Sequence, residues 1–78
     1  MYQDEVSVIN IQANQLSNIS MQIMSMCVDM KPLASADPVD KDSLKAYIAS
    51  IGVLMTSVTS QQVLLQQALD KFAEELNK

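Results

Sequence analysis

The sequence predicts an all-α protein: an antiparallel two-helix hairpin, coiled-coil-like, packed into a larger helical bundle or oligomer. Three observations carry this. First, apolar residues recur every seven positions in both halves of the chain. Ile9, Leu16, Ile23 and Met30 mark the first half, and Leu44, Ile51, Val58, Leu65 and Phe72 the second. Such heptads specify a seam along which helices meet side by side. Second, the two prolines, Pro32 and Pro38, fall together in the middle of the chain and supply its one clear break. Third, 47 of the 78 residues lie in two blocks free of charge, residues 6–28 and 46–69. A solvated helix surface normally carries Lys and Glu, so helices that avoid charge all round are covered on more than one side.

The first helix is expected over residues 4–31. Ile19, Met26 and Leu33 fill the companion positions of its heptad, and Cys27, four residues after Ile23, is placed in the seam as a small buried hydrophobe. Pro32 is expected to end it at Lys31, because the residue before proline is pushed out of the α region. A turn then spans residues 32–38. The second helix is expected over residues 39–76, with Asp37 as N-cap, Pro38 at its first position and Asp40 in its first turn. Ser43 is a second candidate cap. Tyr47 and Leu54 flank the second seam on one side, and Ile48, Met55, Leu69 and Leu76 on the other.

The two heptads mesh. In an antiparallel hairpin, facing residues have a constant sum of numbers. Met30 then faces Leu44, Ile23 faces Ile51, Leu16 faces Val58 and Ile9 faces Leu65. The same register sets Tyr2 against Phe72. It also sets Gln12 opposite Gln62, with Gln61 adjacent. A buried polar layer of this kind costs stability and fixes register or oligomer state. The alternative is that these glutamines face water.

The apolar residues outnumber what one seam uses. Met21, Met24 and Val28 widen the first seam, and four of the six methionines lie between residues 21 and 30. Methionine clusters serve as filler in bundles of more than two helices, or as adaptable binding surfaces. Gly52, the only glycine, falls in mid-helix beside Ala49 and Thr56. Glycine there costs a helix about 1 kcal/mol against alanine. Small side chains at such a point admit a neighbouring subunit or mark a local bend. The candidate interaction residues are therefore Met21, Met24, Val28, Ala49, Gly52, Thr56, Gln12, Gln61 and Gln62.

Composition narrows the function. A single hairpin of this length is marginal alone. With one cysteine and no histidine, neither an internal disulfide nor a typical zinc site is available, so association with protein is the remaining stabiliser. No nucleophile–base pair can be assembled, no glycine-rich phosphate loop exists, and no cofactor is expected. Asp37, Asp40 and Asp42 lack the glycine and bidentate glutamate of a calcium loop. The net charge is −4 and arginine is absent, which disfavours nucleic acid. Ten Ser, Asn or Gln residues within residues 6–28 argue against a membrane span there, and the more apolar run at 46–58 is short for one. The acidic start argues against a classical signal peptide, leaving a cytoplasmic chain or one exported by a signal-independent system.

The layout of Asp37-Pro38 followed by Leu44, Tyr47 and Gln61 resembles needle-forming subunits of bacterial type III secretion systems. Those are helix–turn–helix chains with a proline-flanked turn that polymerise into a tube. The similarity covers about the last forty residues. An additional segment at residues 39–42 and the polar ending Glu74-Glu75-Leu76-Asn77-Lys78 depart from that pattern. The resemblance implies a secreted, polymerising subunit. Small helical secretion chaperones, which cover an aggregation-prone partner, share the same features.

Overall fold

The computed structural model describes residues 2–78. It is an all-α hairpin of two helices, α1 (Gln3–Ser35) and α2 (Lys41–Leu76), with extents of 63 × 17 × 12 Å. A 36-residue helix rises about 54 Å, so α2 runs nearly the length of the molecule.

The helix ends follow local chemistry. The carbonyl of Tyr2 accepts a 3.1 Å hydrogen bond from the Val6 amide, and Asp4 and Glu5 lie in the first turn of α1, where carboxylates complement the helix dipole. At the far end, the Asn77 amide donates to the carbonyls of Ala73 and Glu74. An exposed ion pair between Lys78 and Glu75 adds little.

Two boundaries differ from the sequence expectation. Pro32 does not end α1, which continues to Ser35 with the proline inside its last turns. Proline removes one amide donor and crowds the preceding turn. The seam runs on past it, however: Met30 and Leu33 are both half-buried, and keeping Leu33 in the interface favours one more helical turn. The second helix is capped by Asp40 rather than Asp37. One Asp40 carboxylate oxygen accepts from the Ser43 amide at 3.1 Å and the other from the Ser43 hydroxyl at 2.8 Å. Two bonds from one residue fix the start at Lys41, and Asp37 and Pro38 are left in the connection. Ser43 takes part as the donor to the cap.

The half-buried positions trace the heptads. Ile9, Leu16, Ile23 and Met30 line one column of α1, with Gln12, Ile19, Met26 and Leu33 beside them. On α2, Leu44, Ile51, Val58, Leu65 and Phe72 form one column, and Tyr47, Leu54, Gln61 and Ala68 the other. The ring pair expected from the register is present. Tyr2 and Phe72 meet edge to face, with centroids 5.5 Å apart and planes at 65°.

Three seam assignments move outward by one position. Cys27 is exposed, because Met26 occupies the inner column between Ile23 and Met30. Ile48, Met55, Leu69 and Leu76 are also exposed, since a two-helix interface covers only two columns of each heptad. Gln61 takes the inner position expected of Gln62, because it continues the column of Tyr47 and Leu54 at seven-residue spacing.

Candidate functional site

No hydrophobic residue among those described is fully buried. The one buried side chain among the described residues is polar: Gln61, 8% exposed. Its Nε2 donates to the backbone carbonyl of Gln12 at 3.1 Å and also to the Gln12 side-chain oxygen. This amide layer lies midway along the lower half of the hairpin. A glutamine that satisfies its donors across the seam resists sliding of one helix past the other by a heptad, since a slip would set Gln61 against Ile19 or Glu5 and Gln12 against Leu54 or Ala68. Gln62, one residue on, is exposed.

The other candidate residues lie outside the seam. Met21, Met24 and Val28 are exposed on α1, with Met24 at 67%. Ala49, Gly52 and Thr56 are exposed on α2. A Cβ placed on Gly52 would meet nothing within 4 Å, so no contact within the chain calls for glycine there. The hydroxyls of Thr56, Ser57 and Thr59 donate back to the carbonyls of Gly52, Val53 and Met55. Hydroxyls that bond to their own helix spare its apolar flank from needing water and bend the helix slightly.

Two clefts run along the helix pair, on opposite broad faces. The first lies between Ser20 and Ile23 of α1 and Met55, Val58 and Thr59 of α2, with no ionisable residue in its lining. The second, nearer the termini, is bordered by Asp4, Glu5, Lys71 and Glu75 around Val8, Ala68 and Phe72. One face is therefore uncharged at its groove and the other is ringed with charge. Residues outside the seam that sequence reasoning passed over, chiefly Ile11, Val53 and Val63, are also exposed. Their signal was available: each is apolar and off the heptad columns.

The Asp40 carboxyl at the start of α2 is shifted from its usual range. The Ser43 amide, then the Ser43 hydroxyl, hold its carboxyl below the ordinary aspartate value. Among the described residues, no group of three or more His, Cys, Asp or Glu side chains gathers to hold a metal ion. By length and composition α2 is the one described helix apolar enough to cross a membrane. This is weak evidence against the sequence expectation of no span. Thr56, Ser57, Thr59, Ser60, Gln61 and Gln62 crowd its centre and would all enter the bilayer. Compared with known proteins, the chain matches no family model, no curated protein and no solved structure.

Proposed function

We propose that the chain is a non-enzymatic assembly protein that acts by helix–helix association and builds a homo-oligomer or filament from its own copies. The observation that carries this is the distribution of apolar surface. Fifteen large apolar residues are exposed among those described, while no hydrophobic residue is fully buried. Monomeric soluble proteins rarely leave contiguous apolar patches of more than a few hundred Å² open to water. A hairpin without a closed core gains its missing burial from further helices. A needle-like tube of a secretion system is one form of such an assembly, and the resemblance at Asp37-Pro38, Leu44, Tyr47 and Gln61 supports it.

A second reading is a small chaperone or adaptor. The exposed Met21, Met24 and Val28 favour it, because flexible thioethers adapt to an amphipathic partner helix. Size exclusion with light scattering on the purified chain separates the two. A discrete oligomer or filament is expected from self-assembly. A chain that orders only with a co-purified protein supports the adaptor. A well-folded inert monomer, or a chain that partitions into lipid vesicles and leaves water, contradicts both.

A further inference from the structure

We infer that the uncharged broad face of the hairpin docks on the same face of a second copy, with Gln62 of one copy meeting Gln62 of the other. This rests on the proposed self-assembly and names the surface that performs it.

The two broad faces differ in kind. Beside the seam, α2 presents Lys41, Ile48, Met55, Gln62, Leu69 and Leu76 in one heptad column, all exposed. The uncharged stretch of this face therefore runs from Ile48 to Leu76, and the lysines Lys31, Lys41 and Lys45 gather at its turn end. Positions that keep a seven-residue spacing stay on one side of a left-handed helix pair. In an antiparallel pair, the matching column of α1 lies on the same side. It holds Ala13, Ser20, Cys27 and Ala34, all small. The cleft shared by Ser20 and Met55 shows that the two columns do border one groove. Large apolar side chains on one wall and small ones on the other leave room for a helix to lie between them. Across the opposite face the corresponding columns include Asp29 and Lys71, and its cleft is bordered by four charged residues.

A second copy is the occupant that fits. At about 1.5 Å per residue the stretch from Ile48 to Leu76 is about 42 Å long, and the molecule is 17 Å wide, which gives a face on the order of 700 Å² per copy, within the roughly 600–1,000 Å² per partner of stable complexes. Its apolar column is interrupted once, at Gln62. A lone amide in an apolar contact needs an amide opposite it. An antiparallel second copy supplies one when the two-fold axis passes Gln62, which sets Ile48 opposite Leu76 and leaves Lys41 of each copy beyond the end of the other. The layer at this level is then continuous: Gln61 bonds Gln12 within the chain, and Gln62 bonds its own counterpart between chains. Met24 and Gly52 lie on the shoulders of the same face, one a protruding thioether and the other an open gap.

The test uses the full-length chain carrying Cys27→Ser, with Gln62→Cys as probe and Val53→Cys as control. Val53 is 68% exposed and lies on the charged side. Under mild oxidant, the position-62 variant is expected to form a disulfide-linked dimer at least about tenfold faster than the control. In parallel, Met55→Glu is expected to weaken self-association at least about tenfold, and Val53→Glu far less. Equal cross-linking rates, or equal effects of the two glutamates, overturn the assignment of the face while leaving self-assembly intact. A wild-type chain that stays monomeric overturns the assignment and the self-assembly reading together. Circular dichroism of each variant confirms that the hairpin has formed.

Discussion

The seam and the faces outside it are built from similar residues and meet opposite environments. Ile9, Leu16 and Ile23 are half-buried, whereas Ile11, Ile48 and Val53 stand in water, the last at 68% exposure. Apolar character does not distinguish them; position in the heptad does. Two helices cover two columns of each other and no more. The difference teaches that the chain encodes more packing surface than one hairpin can use, and that the surplus is as regularly spaced as the seam.

Substitution breaks this comparison most sharply in the seam. Leu16→Asp sets an unpaired carboxylate against Val58 and is expected to abolish the cooperative helical melt, whereas Val53→Asp leaves the hairpin of a dilute sample intact. Circular dichroism during heating reads both. If both variants melt alike, the seam does not hold the fold.

The glutamine layer sharpens the comparison within a single dipeptide. Gln61→Ala removes the bonds to Gln12 and is expected to cost about 1–2 kcal/mol. Gln62→Ala, measured in dilute solution, is expected to stay within about 0.5 kcal/mol. Urea titration at low protein concentration checks the order.

Gly52→Ala comes next. With open space around the missing Cβ, alanine meets no clash and is expected to stabilise the dilute hairpin by about 1 kcal/mol. A loss of stability would show that a neighbour already occupies the gap.

The smallest effect is at the cap. Asp40 is held below the usual aspartate range, so the unfolded chain binds its proton more readily than the folded one. Its contribution is therefore complete above the ordinary aspartate pKa and drains away as pH falls through the lowered folded value. Asp40→Asn should lower the melting temperature at neutral pH, leave it nearly unchanged below the folded value, and so flatten the acid limb of the profile.

The hairpin was legible in the sequence because its period is a global property. The five heptad positions Leu44, Ile51, Val58, Leu65 and Phe72 outvote any local ambiguity, and the Tyr2–Phe72 pair follows from the same register. Details one residue wide were not legible. The constant-sum rule names a level along the hairpin, and Gln61 and Gln62 share that level. The column of Tyr47 and Leu54 is what selects Gln61. Cys27 was misplaced for the same reason, with Met26 the better continuation of the inner column. Pro32 and Asp37 misled because local preference is weak beside tertiary burial at Leu33 and a doubly bonded cap at Asp40. The candidate interaction residues were chosen as apolar or small positions left over by the seam, and each of Met21, Met24, Val28, Ala49, Gly52 and Thr56 is exposed.

The most direct test of the central claim, that a further chain covers the faces outside the seam, is the thermal midpoint as a function of protein concentration. Assembly of folded copies links stability to concentration by mass action. The account predicts a midpoint that climbs steadily between about 1 and 100 μM, as more of the exposed Ile48, Met55 and Leu69 surface becomes covered. A cooperative melt whose midpoint does not move over that range would contradict it.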